Sequence, residues 1–135
     1  MRTTSRSLGL SALSLAAALV AACGGSSSSS SVDLSGTPFE NRRGDATLTV
    51  DAADNVFRPK YVTVRAGTKI TFDNVGRNLH NVVSVDDAFV AVDTASFRPG
   101  KKKTITFDTV GDFPYYCTLH GTPTKGMTGA IRVVK

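Results

Sequence analysis

Phe113-Pro-Tyr-Tyr-Cys-Thr-Leu-His-Gly-Thr-Pro-Thr-Lys-Gly-Met-Thr-Gly-Ala-Ile131 brings together a thiol, an imidazole and the only thioether of the chain beyond the initiator Met1. Phe113 and Tyr115 alternate with their neighbours in a strand-like run that ends at Cys117. His120 follows three residues later, Met127 seven after that, and a second apolar run, Ile131-Arg-Val-Val134, comes directly behind. Two strands with chemistry-bearing residues between them are the expected local structure. Upstream the same period recurs in short runs broken by Gly, Pro and Asp: Leu48 and Val50, Tyr61 to Val64, Ile70 and Phe72, Val83 and Val85, Ile105 and Phe107. No window carries a 3.6-residue apolar stripe. The pattern predicts an all-β domain, an antiparallel Greek-key sandwich or barrel, over 46–135. At about 90 residues such a domain is large enough to fold alone, with little margin.

Scarcity narrows the chemistry. The 135 residues contain two His, two Cys and two Met. A site of three imidazoles within one chain is excluded, as are a disulfide framework, a four-Cys zinc ribbon and a Cys-ligated iron–sulfur cluster. The second imidazole, His80, lies about forty residues upstream in Asn78-Leu-His-Asn-Val-Val83. Two His, one thiolate and a weak axial thioether form the donor set of a mononuclear blue copper centre. The mixture serves redox balance: sulfur donors suit Cu(I), imidazoles suit Cu(II), and an intermediate geometry lets the charge change with little movement. A binuclear copper centre needs two thiolates in one loop, and Cys117 is the only Cys in 46–135. Zinc could take two His and a Cys, but it would leave Met127 unexplained. Taken singly, each residue also has a bland reading: a buried thiol, a surface imidazole, a core thioether.

From about Ala46 to Lys135 the chain resembles the cupredoxins, the type 1 blue copper proteins, and among them the plastocyanin, amicyanin and pseudoazurin group. The resemblance lies in Asn55-Val-Phe-Arg-Pro59 with Val62 and Val64, Ala66-Gly-Thr-Lys-Ile-Thr-Phe72 with Asn74, His80-Asn81, Pro99-Gly100 leading to Phe107, Tyr116-Cys-Thr-Leu-His120, and Gly126-Met127. It implies one copper ion held by His80, Cys117, His120 and Met127, and a supporting role for Asn81, whose amide ties the two ligand loops together. It also implies a one-electron carrier rather than an enzyme, with protein redox partners that meet the His120 edge. Leu119 and Pro123 are the expected apolar rim. One departure is the loop between His120 and Met127, where Gly121-Thr-Pro-Thr-Lys-Gly126 exceeds the spacing usual in the group. That places the axial Met127 bond in more doubt than the other three.

The N-terminal third has a different character. Arg2 and Arg6 precede the apolar run Leu8 to Val20, and Leu8 to Cys23 is only 16 residues, short of the ~20 that span a bilayer. An export signal over 1–22 is expected. Its exit, Leu19-Val-Ala-Ala-Cys23, resembles a bacterial lipobox, with Val20 where Leu is commoner, so Cys23 is the expected lipidation site. Ordinary cleavage nearby, with Cys23 incidental, is the alternative. Gly24-Gly25, the six serines Ser26–Ser31 and the polar stretch to about Asp45 read as a flexible tether over 23–45. Without Arg2 and Arg6 the chain keeps 14 basic and 11 acidic residues, a balance that predicts no nucleic-acid partner.

Pairing the runs on either side of the turn Asp108-Thr-Val-Gly-Asp112 as a hairpin would set Ile105 beside Tyr115 and Lys103 beside Cys117. Lys101, Lys102 and Lys103 would then cluster at the metal end, where with Arg98 they could steer an acidic partner or merely protect a strand edge. The expected protein is a monomeric, exported carrier, lipid-anchored to the cell membrane and facing the periplasm or the exterior, that moves electrons between envelope partners. Copper storage, delivery or sensing with the same ligands is the alternative, and a small copper enzyme with an open coordination position is a third reading.

Overall fold

A computed structural model describes residues 32–135; the signal-like segment, Cys23 and the serine run lie outside the described residues. Nine strands make up the regular structure, and no helix occurs among the described residues. They are β1 (Glu40–Asn41), β2 (Thr47–Ala53), β3 (Val56–Arg58), β4 (Tyr61–Arg65), β5 (Thr68–Asn74), β6 (Val83–Ser84), β7 (Lys102–Phe107), β8 (Gly111–Thr122) and β9 (Lys125–Val134). Two sheets form, one ordered β1-β4-β9-β8-β6 and the other β3-β2-β5-β7. Alternation explains the layers: Leu48, Val50 and Ala52 of β2, Ile70 and Phe72 of β5, and Phe113, Tyr115 and Cys117 of β8 all turn into one buried cluster between the sheets. At its centre the Tyr115 ring stands edge-on to Phe57 and Phe72, at centroid distances of 5.0 and 5.3 Å.

The all-β sandwich matches the expectation, but the pairing within it is mixed. β1 with β4, β4 with β9, and β2 with β5 are parallel. Period-two alternation fixes which face of a strand is buried and carries no information on its neighbour's direction. Parallel neighbours need a long crossover, and here each crossover passes through the opposite sheet. The expected hairpin across 108–112 is also replaced. β8 already has β9 and β6 on its two edges, so β7 joins the other sheet beside β5, with Ile105 opposite Ile70 and Lys103 opposite Phe72. The turn is an arch between layers, closed by the Phe107 and Phe113 rings 5.3 Å apart. Around β6 the buried phase falls on Val82 and Ser84, and Val83 and Val85 are only half-buried.

The expected tether also ends sooner than Asp45. Leu34 is buried, and β1 pairs with β4. The Phe39 ring lies 5.6 Å from that of Tyr61 and 4.0 Å from the Arg132 guanidinium, which forks onto Asp112 at 2.7 and 2.8 Å. One aromatic residue in a polar stretch is enough to hold it once a cation and a second ring receive it.

Gly129 lies opposite Tyr115 in the β8–β9 ladder, and a Cβ there would stand 2.5 Å from the Tyr115 hydroxyl oxygen. Gly129→Ala should therefore lower stability by about 1–3 kcal/mol through overpacking, read from thermal or denaturant unfolding. A variant as stable as the parent would contradict this packing.

Candidate metal centre

The metal end arises where the β8–β9 ladder breaks. Tyr116 pairs with Thr128, and the next pair along is Gly121 with Gly126. Between those pairs β8 holds Cys117, Thr118, Leu119 and His120, whereas β9 holds Met127 alone. A strand with surplus residues must bend out of the ladder and re-aim its side chains. Cys117 and His120 are thereby brought together, with Sγ 3.6 Å from Nδ1, and Met127 across the break is wholly buried.

The six residues between His120 and Met127 form a hairpin. Gly121–Thr122 pair with Gly126–Lys125 around the two-residue turn Pro123-Thr124. The added length is thus taken up as a projecting ribbon, and Met127 returns to the ladder beside the break. Two glycines permit the close approach: a Cβ on Gly126 would meet the His120 carbonyl oxygen at 2.5 Å, and one on Gly121 the Met127 nitrogen at 2.8 Å. Gly126 also has φ +78°, in the left-handed region that suits glycine.

His80 comes from the connection between β5 and β6. The Asn74 side-chain amide donates to the carbonyls of Asn78 (3.0 Å) and Phe97 (2.9 Å), which fixes that connection from within the core. The Asn81 amide donates to the Thr118 hydroxyl at 2.8 Å, and its carbonyl accepts from the Thr118 backbone N–H at 2.8 Å. Asn81 therefore ties the residue after His80 to the residue after Cys117. Thr118 and Asn74 received no role from the sequence, because a backbone N–H and a buried amide become partners only once the loops meet.

The three donors converge. Cys117 Sγ lies 3.8 Å from His80 Nδ1 and 3.6 Å from His120 Nδ1, the imidazole rings are 4.9 Å apart between centroids, and the ligand atoms all fall within 4.8 Å of one another. With metal–nitrogen and metal–sulfur bonds of about 2.0–2.3 Å, donors separated by angles between tetrahedral and trigonal lie about 3.6–3.8 Å apart. The spacing therefore fits a single ion. Burial shifts His80 below the ordinary imidazole pKa, the neighbouring His120 adds to the shift, and Asp54 opposes it. His80 is thus held neutral, the form that binds a metal. Its Nε2 is buried without a hydrogen-bond partner among the described residues. An unpaired buried ring nitrogen costs free energy, and a metal bond at Nδ1, the nitrogen that faces Cys117, would help to offset it.

The remaining expected residues lie near the same end. His120 is only partly buried, in contrast to Cys117, His80 and Met127, and Leu119 beside it is 52% exposed. Pro123 is half-buried in the hairpin turn. Lys101 and Lys102 are exposed, with Lys102 paired to Asp73. The lysines reach the metal end through β5 and not through β8: the Lys101 carbonyl accepts from the Asn74 N–H at 3.0 Å, and Asn74 holds the His80 connection.

Comparison with known proteins gives a consistent family. The sequence model of the copper binding proteins of the plastocyanin/azurin family matches residues 45–134. A chloroplastic plastocyanin of Tetradesmus obliquus is 35% identical over 94 residues, covering 64% of this chain and 63% of the relative. The plastocyanin of Scenedesmus fuscus is 32% identical over 94 residues, covering 64% of this chain and 94% of the relative. The chain thus spans slightly less than two thirds of the first relative and nearly all of the second. Among solved structures, a purple cupredoxin from Nitrosopumilus maritimus matches with a TM-score of 0.55 at 20% identity, over 64% of this chain and 99% of that one. A reduced amicyanin variant matches with a TM-score of 0.56 at 24% identity, over 67% of this chain and 84% of that one. At these identities the structural matches speak to the fold.

Removing the Asn81 amide breaks both 2.8 Å bonds to Thr118. Asn81→Ala should weaken copper binding by about 10–100-fold, the usual effect of losing a group that orients metal ligands. Competition against a copper chelator reads this directly, and an affinity within about twofold of the parent would count against the tie.

Proposed function

The chain belongs to the plastocyanin/azurin family of copper-binding proteins and holds one copper per chain, and from that premise we propose that it is a type 1 electron carrier. His80, Cys117 and His120 would hold the ion, and Met127 would be the weak thioether donor that tunes its potential. Bound copper supplies a one-electron couple, Cu(I)/Cu(II), that no side chain of this protein offers. The chain's own residues keep the donor set fixed. Asn81 and Thr118 lock the two ligand-bearing loops to each other, and the sandwich excludes water from three of the four donors. A rigid, dry shell suits fast exchange because little has to move when the charge changes.

The observation that carries this reading is the asymmetry of exposure: His120 alone among the four reaches the surface. An electron entering or leaving has its shortest path through that imidazole edge, and the neighbouring Leu119 and Pro123 offer apolar contact. Lys101 and Lys102, with Arg98, add positive charge toward an acidic redox partner, which raises the encounter rate more than the affinity. The burial of Cys117, His80 and Met127 argues against copper storage or delivery, in which the ion must be handed over repeatedly. Two further elements of the proposal come from the N-terminal sequence: export by the signal-like segment, and a lipid on Cys23 that anchors the protein to the cell membrane, facing the periplasm or the exterior.

Two copies exchanging electrons would meet through the same His120 edge. Leu119→Glu should slow self-exchange, measured by line broadening in mixtures of reduced and oxidised protein, by about tenfold or more, since the apolar contact is lost and a carboxylate from each copy must be desolvated in the contact. The optical spectrum should be unchanged. Equal self-exchange rates would move the electron path elsewhere, and transfer of copper to an apoprotein acceptor faster than electron exchange would favour delivery.

A further inference from the structure

The chain enters the domain at its metal end. β9 leaves the hairpin beside Met127 and runs away from the ligands, β4 is parallel to β9, and β1 is parallel to β4. β1 therefore also runs away from the metal, and the residues before it arrive from the metal side. Side-chain packing says the same. Val32, Asp33 and Leu34 line one cavity of about 260 Å³ with Pro123, Thr124 and Thr128 of the hairpin that carries Met127. The entry point is held, because Leu34 is buried and Phe39 is packed between Tyr61 and Arg132.

Cys23 stands nine residues before Val32, so even a fully extended chain spans about 30 Å between them. We propose that a lipid on Cys23 holds the His120 edge toward the bilayer, and that the redox partner is a membrane-bound protein whose docking site lies within about 30 Å of the membrane surface. This rests on the reading of Cys23 as lipidated. An anchor at the opposite end would give another result. The β7–β8 arch, where Val110 is 51% exposed, lies six to seven strand residues from Cys117, or about 20 Å. A leash of the same length attached there would let the His120 edge face outward, toward carriers free in the aqueous phase.

The test measures distance and needs no electron transfer. The chain beginning at Cys23, loaded with Cu(II) so that buried Cys117 is occupied, is coupled at Cys23 to a maleimide lipid. It is then placed in phosphatidylcholine vesicles containing a headgroup-nitroxide lipid. Copper–nitroxide distances from double electron–electron resonance are compared with those of a Cys23→Ser chain carrying the same lipid, through a spacer of equal reach, at Val110→Cys. Thr109→Cys, also exposed in the arch, provides a second far-end anchor should the first misfold. The distribution for the Cys23-anchored protein should be shorter by about 10 Å or more, half of the ~20 Å between the two ends. Equal or longer distances overturn the proposal. Chemical coupling keeps this result separate from natural lipidation, which is read from the mass of the Cys23 peptide in protein taken from host membranes. An unmodified peptide there would remove the anchor itself.

Discussion

One unequal count governs the functional end of this molecule: four residues of β8, Cys117 to His120, stand against Met127 alone in β9. Below that break the two strands pair regularly and bury Phe113, Tyr115 and Ile131. Above it they pair again as a narrow hairpin. Within it a thiol and an imidazole leave the ladder on the side of a buried thioether. A regular ladder could not bring these groups together, since Cys117 and His120, three residues apart, would turn to opposite faces of the sheet. The glycines at 121 and 126 close the strands again immediately beyond the break, where any Cβ would collide with backbone.

The fourth donor comes from the connection that crosses between the two sheets, and two amides hold it there. Asn74 anchors the His80 connection to the core, and Asn81 ties it to Thr118 in the break. His80 is wholly buried and held neutral, its Nε2 is without a partner among the described residues, and its Nδ1 faces the Cys117 thiol. Copper binding and folding are therefore coupled at this residue: the fold is arranged for a metal ligand whose burial is otherwise unfavourable.

Much of this was legible in the residues themselves. Alternation in β2, β5, β8 and β9 marked the strands and their buried faces, and the spacing of Cys117, His120 and Met127 with a distant His80 pointed to the donor set. What alternation lacks is partner direction, which explains why the sheets proved mixed and why the 108–112 turn became an arch in place of a hairpin. The phase at Val82–Val85 slipped by one because Val83 and Val85 make the more apolar phase, whereas the bridge from Val82 to Val92 turns Val82 and Ser84 inward. Leu34 and Phe39 were hidden in a polar stretch, and the partners of Phe39, Tyr61 and Arg132, are distant in sequence. The long loop after His120 proved to be a hairpin, and its glycines, spaced to face each other across it, carried that signal.

The central claim is that His80, Cys117, His120 and Met127 form one copper shell with a direct thiolate bond. Optical titration of the purified protein with Cu(II) tests it most directly. The account predicts an intense blue-to-purple thiolate-to-copper band that saturates at one equivalent, disappears reversibly on reduction and is absent from Cys117→Ser. A colourless protein that prefers zinc, or a band that survives in Cys117→Ser, would contradict it.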